Sequence, residues 1–235
     1  MKATVIVQAR IGSARLPGKV LMRLGTKTVL EHVLERCKAI ALEKEVCLAT
    51  SDLTQDDPVA AMAKKCGVAL FRGDERDVLS RYYGAAEKLG ADDILRVTAD
   101  CPLLDPEVCT SVINARRNTH SDYACNFSPP SFPHGLDCEA FSRDALRMAH
   151  EKSETAFQRE HVTVWLIENP HVKKVNVENP GRNASRHRWT LDTPDDYAFL
   201  SRVFTEKADI VSTLHWQDVY CSLEAELVPQ NGAHA

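Results

Sequence analysis

The first hundred residues alternate short apolar runs with longer segments in which apolar residues recur every three or four positions. Short apolar runs are typical of buried strands, and the longer pattern is typical of amphipathic helices. We predict strands at residues 3–8, 45–50, 68–71 and 93–99, and helices at residues 28–40, 57–66 and 77–89. This alternation predicts an α/β fold, with a mostly parallel sheet and helices on both faces.

Capping residues support these helix boundaries. Thr28 and Glu31 have the spacing of a capping box at the start of the first helix. Asp57 is predicted to cap the second helix ahead of Pro58, and Gly67 to end it.

The pattern is less regular after residue 105. We predict helices at residues 106–118, 142–150, 154–168 and 194–205. Extended segments are predicted at residues 122–126, 135–141, 171–177 and 187–191. The last helix is capped by Thr193 or Asp192, and the chain is predicted to fray after about Val228.

A basic loop follows the first strand, at the sheet edge where ligands bind in such folds. The segment QARIGSARLPGK, residues 8–19, contains Arg10, Arg15 and Lys19. Gly12 would let the backbone approach a ligand closely. Three cations in one turn favour a triphosphate as ligand. A solvated basic turn is the alternative, and the loop matches neither a P-loop nor GxGxxG.

Sequence segments along most of the chain resemble one enzyme family. The segment QARIGSARLPGKVL resembles the N-terminal signature of the CTP-dependent sugar-acid cytidylyltransferases, which include the KDO and acylneuraminate enzymes. The similarity is greatest to the branch called spore-coat polysaccharide biosynthesis protein F. Five further similar segments follow in order: FRGDERDVLSRYYGAA, RVTADCPLLDP, GLDCEAF, REHVTVWLIENP and RWTLDTPDDY.

The resemblance implies a three-layer, Rossmann-like nucleotidyltransferase fold in a single domain spanning residues 1–235. It further implies a small β-rich insertion at about residues 120–180, for acceptor binding and homodimerisation. The implied reaction transfers CMP from CTP to a small acidic acceptor, such as a sugar acid, and releases pyrophosphate. Mg²⁺ is the implied cofactor, and surface polysaccharide or glycoconjugate biosynthesis is the implied pathway.

The same resemblance assigns the nucleotide-binding and metal-binding residues. Nucleotide binding is assigned to Arg10, Gly12, Ser13, Arg15, Lys19, Arg72 and Asp100. Of these, Arg15, Lys19 and Asp100 are assigned to catalysis, and Asp100 and Asp192 to the metal. The sequence by itself leaves two alternatives open: Arg72 could be a surface ion-pair residue, and Asp192 an ordinary helix cap.

Acceptor binding is assigned by resemblance to Asp137, Glu139, Glu160 and His161. Asp137 and Glu139 alternate along a predicted strand, so they would share one face, which could equally be a solvated face. His161 and Trp165 would share one face of the predicted helix at residues 154–168, where a histidine could equally be a core residue.

Composition limits the classes of protein that fit. A net charge of −4 argues against a nucleic-acid partner, and no apolar stretch is long enough to span a membrane. Eight cysteines without a CxxC pair, and no signal peptide, predict reduced thiols in a cytoplasmic protein.

Three other functions remain compatible with these patterns. They are a glycosyltransferase that uses a nucleotide-sugar, a transferase for another nucleotide or for a phosphonate or phosphate acceptor, and a non-catalytic nucleotide-binding module.

Overall fold

A computed structural model describes residues 2–213 and 215–227. The predicted fraying after Val228 lies outside these residues. The strands are β1 (Ala3–Gln8), β2 (Arg23–Leu24), β3 (Lys27–Thr28), β4 (Lys44–Ser51), β5 (Ala69–Gly73), β6 (Asp93–Thr98), β7 (Tyr123–Cys125), β8 (Glu139–Ser142) and β9 (Lys174–Asn176). The helices are α1 (Val29–Ala39), α2 (Asp57–Cys66), α3 (Val78–Leu89), α4 (Pro106–Thr119), α5 (Arg143–Lys152), α6 (Ala156–Glu160), α7 (Val164–Glu168), α8 (Pro194–Glu206), α9 (Ala208–Ser212) and α10 (Trp216–Leu227).

Seven of these strands form one sheet, in the order β5-β4-β1-β6-β8-β7-β9. Strands β5, β4, β1 and β6 pair in parallel, whereas β8 runs antiparallel to both of its neighbours. The mostly parallel sheet is therefore confirmed. Strands β7, β8 and β9, from the segment predicted to be an insertion, extend this same sheet.

Alternation along β1 divides the core into two layers. Val5 and Val7 belong to the hydrophobic cluster that includes Leu30 of α1 and Leu200 of α8. Ile6 points to the opposite face, into the cluster that contains α3 and α5. Helices therefore cover both faces of the sheet, which confirms the three-layer arrangement.

Local capping signals determine most helix ends. The predicted box of Thr28 and Glu31 is present at α1. The prediction for α2 was wrong by one residue: Asp56 is its N-cap, and Asp57 is already helical because a 3₁₀ turn precedes it. Gly67 ends α2 in the left-handed conformation, as predicted.

The predicted helix at residues 154–168 was wrong in one respect. It is divided into α6 and α7, because Val162 lies between them with a φ of 57°. The side chain of Val162 is fully buried in the core, so tertiary packing holds a backbone conformation that a helix cannot contain. His161 and Trp165 consequently do not share the face of one continuous helix.

Two predicted extended segments are shorter or more irregular than expected. Pairing in the segment at residues 135–141 begins only at Glu139, the first residue of β8. The residues before it form a tight loop around Gly135, whose φ is 114°. This loop contacts residues 187–191 through an isolated parallel bridge between His134 and Arg188.

Candidate active site

The carboxyl ends of β1 and β6 carry a cluster of one ammonium and two carboxylates. Lys19 Nζ donates hydrogen bonds to Asp100 Oδ2 at 2.6 Å, to Asp192 Oδ1 at 2.7 Å and to the Leu191 carbonyl oxygen at 2.8 Å. Burial alone would lower the pKa of Lys19, but the charges and hydrogen bonds of the two aspartates outweigh it, and the pKa is raised. The ammonium therefore stays charged.

Tertiary contacts bring the two aspartates together. Asp100 follows β6, and its carbonyl oxygen accepts from the Leu191 backbone N–H at 2.8 Å. Thr193 is the N-cap of α8, in a capping box with Asp196. The carboxylate of Asp192 is therefore not needed for capping, which decides between the two predicted caps.

Two arginines add positive charge to the Asp192 carboxylate. Arg15 donates to Asp192 Oδ2 at 2.8 Å, and Arg188 donates to the same oxygen at 3.2 Å. Burial would raise the pKa of Asp192, but Lys19, Arg15 and Arg188 outweigh it and lower the pKa. Sequence reasoning did not single out Arg188, although it lies four residues before Asp192.

A cavity of about 370 Å³ opens beside the basic loop. Six of the seven residues predicted to bind nucleotide line it: Arg10, Gly12, Ser13, Arg15, Lys19 and Asp100. Arg72, the seventh, is not among the residues that line it. Its guanidinium donates to Asp57 and to the Ser51 and Leu53 carbonyl oxygens, which matches the alternative of a structural ion pair.

A second cavity of about 480 Å³ lies on the other side of Asp100 and Asp192, which line both. Asp137 and Glu139 line this second cavity, together with the aromatic ring of Phe132. Glu160 and His161, predicted to lie with them, line the first cavity instead. Glu160 accepts from Arg10 at 3.0 Å, so the structure divides the four predicted acceptor residues between two cavities.

Glu139 is a buried carboxylate with two partners. Arg96 forms an ion pair with it, and the Tyr123 hydroxyl donates to its Oε1 at 2.6 Å. Burial raises the pKa of Tyr123, and the Glu139 charge raises it further. Burial would lower the pKa of Arg96, but Glu139 reverses this and raises it. Glu139 is therefore not on the solvated face that was the alternative reading.

We expect Arg96→Met to destabilise the protein by about 3–5 kcal/mol, because it leaves the Glu139 charge buried without its cation. The free energy of unfolding in urea, compared at a common m-value, measures this. Arg147→Met is the matched control, since Arg147 pairs with Glu151 on an exposed helix surface where ion pairs contribute little. Equal unfolding midpoints for Arg96→Met and the wild type would contradict the prediction.

A histidine that sequence reasoning missed also lines the second cavity. His134 Nδ1 lies 2.6 Å from Asp137 Oδ2. The Asp137 hydrogen bond raises the pKa of His134, against the lowering effect of partial burial. The three-residue spacing in PHGLD was visible in the sequence, but the loop that brings the two side chains together was not.

The paired aspartates have the character of a divalent-cation site. Their oxygens converge on one ammonium, so they can share a cation. Mg²⁺ prefers one or two carboxylates completed by water and phosphate oxygens. Within residues 2–213 and 215–227, no cluster of three or more His, Cys, Asp and Glu side chains has the geometry of a metal site. The donors present therefore fit a metal that also needs substrate oxygens.

Comparison with known proteins shows the family to which this chain belongs. A family model described as cytidylyltransferase matches residues 4–217. The chain belongs to this family. It is an enzyme that uses CTP for nucleotidyl transfer. This membership favours CTP over the glycosyltransferase and other-nucleotide alternatives.

Two relatives of this cytidylyltransferase match most of its length. An uncharacterized protein of Methanocaldococcus jannaschii is 37% identical over 84% of this chain and 81% of its own. The spore coat polysaccharide biosynthesis protein SpsF of Bacillus subtilis is 32% identical over 87% of each chain.

Two solved structures share the fold. A cytidylyltransferase from Leptospira borgpetersenii superposes with a TM-score of 0.88 and 30% identity, covering 100% of this chain and 99% of that one. A CMP:2-keto-3-deoxy-manno-octonic acid synthetase complexed with CTP superposes with a TM-score of 0.65 and 20% identity, covering 88% of this chain and 100% of that one. The second likeness shows the fold alone.

Each helix in the described part of this cytidylyltransferase is too short or too polar to cross a lipid bilayer. The cytoplasmic location stays a prediction.

Proposed function

We propose that this cytidylyltransferase transfers CMP from CTP to a small acidic acceptor, such as a sugar acid, and releases pyrophosphate with the help of Mg²⁺. One observation carries the proposal: two cavities meet at Asp100 and Asp192, the two carboxylates that contact Lys19. A cytidine triphosphate in the first cavity and an acceptor in the second would bring the α-phosphorus and the nucleophile together at these residues.

The basic loop supplies the cations for the nucleotide. Arg10, Arg15 and Lys19 line the first cavity and would hold the triphosphate and neutralise the departing pyrophosphate. Asp100 and Asp192 would hold the metal. When bound, Mg²⁺ neutralises phosphate charge and orients the α-phosphate.

The second cavity has groups for both ends of a hydroxylated acid. Arg96 lines it and supplies positive charge for a carboxylate. Asp137 and Thr98 supply hydrogen-bonding groups for hydroxyls. The name of the Bacillus subtilis relative supports surface polysaccharide biosynthesis as the pathway.

Thermal shift with CTP, UTP, ATP and GTP tests the nucleotide half, each with Mg²⁺ and with EDTA. We expect a CTP-selective shift that needs Mg²⁺. Pyrophosphate release with 3-deoxy-manno-octulosonate, N-acetylneuraminate and small phosphonates tests the acceptor half. Turnover with phosphonates but with neither sugar acid would contradict the proposed acceptor, and binding without any turnover would favour a non-catalytic module.

The chain is also proposed to act in the cytoplasm as a homodimer that uses residues 120–180. All eight cysteines are free thiols, which supports a reducing compartment. Phe157 and Ile167 of α6 and α7 are large apolar side chains with 61% and 41% exposure, which supports a covered surface in this segment. Light scattering should give a mass twice that of the 26.2 kDa chain, and a monomeric mass at micromolar concentration would contradict the dimer.

A further inference from the structure

In the proposed reaction, no residue has yet been assigned to take the proton of the attacking hydroxyl. A hydroxyl that attacks phosphorus must lose its proton, and a positioned base near the nucleophile accelerates this step. The titratable side chains that line the second cavity are therefore the candidates, and most are already committed to other partners.

The carboxylates of this cavity are occupied. Asp100 and Asp192 accept from Lys19, and Glu139 accepts from Arg96 and Tyr123. None of the three presents a carboxylate without a cationic or hydroxyl partner. The fourth carboxylate that lines this cavity, Asp137, is paired with His134 Nδ1 at 2.6 Å.

Cys101 and His161 are also poor candidates. Burial, with the nearby charge of Asp100, raises the pKa of the Cys101 thiol well above its ordinary value. His161 lines the nucleotide cavity, where its ring packs 4.4 Å from that of Phe157. Of the described side chains that line the second cavity, this leaves the imidazole of His134.

The geometry of His134 is that of an oriented base. Its Nδ1 donates to Asp137 Oδ2 at 2.6 Å, and the same oxygen accepts from the Gly135 backbone N–H at 3.0 Å. No other described residue hydrogen-bonds Nε2. A carboxylate on Nδ1 fixes the tautomer whose Nε2 carries the lone pair.

The backbone holds this pair beside the aspartates. The His134 N–H donates to the His187 carbonyl oxygen at 2.9 Å, and the Trp189 N–H donates to the His134 carbonyl oxygen at 2.6 Å. A Cβ on Gly135 would lie 2.7 Å from the Trp189 carbonyl carbon, so only glycine allows this approach. The segment that ends in Asp192 therefore also positions His134.

We propose that His134 is the general base that accepts the proton of the acceptor hydroxyl, with Asp137 as its positioning residue. This inference rests on the proposed function. The acceptor O–H bond breaks, and its proton passes to His134 Nε2. The oxygen forms a bond to the α-phosphorus of CTP, and pyrophosphate leaves with the electron pair of the broken P–O bond. The Asp137 carboxylate stabilises the imidazolium until the proton passes to water.

The surrounding charges set the pH dependence. The hydrogen bond and charge of Asp137 raise the pKa of His134, the charge of Asp100 adds to this, and Arg188 opposes it. Arg96, Glu139 and Asp192 are the other charged groups that line the cavity. The base acts as neutral imidazole, so kcat should rise as pH rises through a pKa above 6.5. The His134–Asp137 ion pair stabilises the folded protein fully below pH 6.5, and this stabilisation is lost as pH rises through the raised pKa of His134. Over that pH range, kcat should therefore rise while the free energy of unfolding falls.

Steady-state pyrophosphate release tests the assignment, with 3-deoxy-manno-octulosonate and N-acetylneuraminate as acceptors. We expect His134→Gln to lower kcat by roughly 10²–10⁴-fold, with the acceptor KM and the CTP thermal shift little changed. His171→Gln, a substitution at an exposed histidine, is the control and should match the wild type. A raised acceptor KM with unchanged kcat would instead make His134 a carboxylate-binding residue and overturn the proposal.

Histidine NMR titration provides a second readout that needs no acceptor. The His134 imidazole should titrate above pH 6.5 in the wild type, and its pKa should fall in Asp137→Asn, which removes the negative charge beside Nδ1. A His134 pKa that is unmoved by this substitution would overturn the positioning role. If neither sugar acid is a substrate, the proposed function fails on the kinetic arm, while the titration still decides whether His134 has the properties of a base.

Discussion

Asp100→Asn is expected to reduce CMP transfer by about 10³-fold or more while the protein stays folded. The amide keeps the size of the side chain but removes one of the two negative charges proposed to hold Mg²⁺. Metal neutralisation of phosphate charge is worth several kcal/mol in such reactions, and each 1.36 kcal/mol corresponds to about tenfold in rate. Pyrophosphate release measures the loss of activity, and thermal unfolding measures the integrity of the fold.

The fold should survive this change because Lys19 keeps its bonds to Asp192 and to the Leu191 carbonyl oxygen. Asp195→Asn is the matched control, since Asp195 is an exposed residue in the first turn of α8. It removes the same charge near the site without touching the cluster and should retain wild-type activity. Asp100→Asn with near-wild-type turnover would remove Asp100 from the catalytic assignment.

Lys19→Met is expected to reduce turnover by about 10²–10³-fold. It is also expected to increase the rise in melting temperature that Mg²⁺ produces without nucleotide. The ammonium is a proposed triphosphate ligand, so its removal weakens stabilisation of the leaving pyrophosphate. It also leaves Asp100 and Asp192 facing each other without the cation between them. Removing one partner of a fully buried ion pair lowers the free energy of unfolding by about 3–5 kcal/mol. Because both aspartates are partly exposed, we expect a smaller loss of about 2 kcal/mol for Lys19→Met.

Magnesium separates the two roles of Lys19. A cation bound by the native state raises the melting temperature, so Mg²⁺ without nucleotide should stabilise Lys19→Met more than the wild type. Lys27→Met is the control, because Lys27 pairs with Glu35 on the exposed surface of α1. If Mg²⁺ shifts the wild type and Lys19→Met equally, the carboxylates that contact Lys19 are not the metal site.

Sequence periodicity predicted the first half of the chain well because its elements are held by local signals. The apolar run at β1 and the capping box of Thr28 and Glu31 can be recognised from neighbouring residues alone. Side chains of a strand alternate between its faces every two residues, and the capping box depends only on the N-cap residue and the residue three positions later. The N-cap of α2 was predicted at Asp57 and lies at Asp56, because the 3₁₀ turn before α2 has no recognisable pattern of apolar and polar residues.

The second half was harder because tertiary packing overrides local preference there. The helical pattern at residues 154–168 was real, but burial of Val162 breaks it into α6 and α7. Glu160 and His161 were thereby placed beside the nucleotide loop instead of with Asp137. For Arg72 the sequence left open a nucleotide contact or a surface ion pair, and in the structure its guanidinium pairs with Asp57 at the start of α2 and donates to the Leu53 carbonyl oxygen.

The sequence by itself determined the α/β class and the ligand-binding edge of the sheet, and it indicated the basic loop at that edge; the aspartates at positions 100 and 192 were assigned to the site by family resemblance. The class, the edge and the loop follow from patterns that span a few residues. Only the tertiary structure decided that Lys19 would hold both aspartates, that Asp137 and Glu139 would have different partners, and that His134 would face a cavity. Those relations join residues up to 173 positions apart, and no local rule of spacing can specify them.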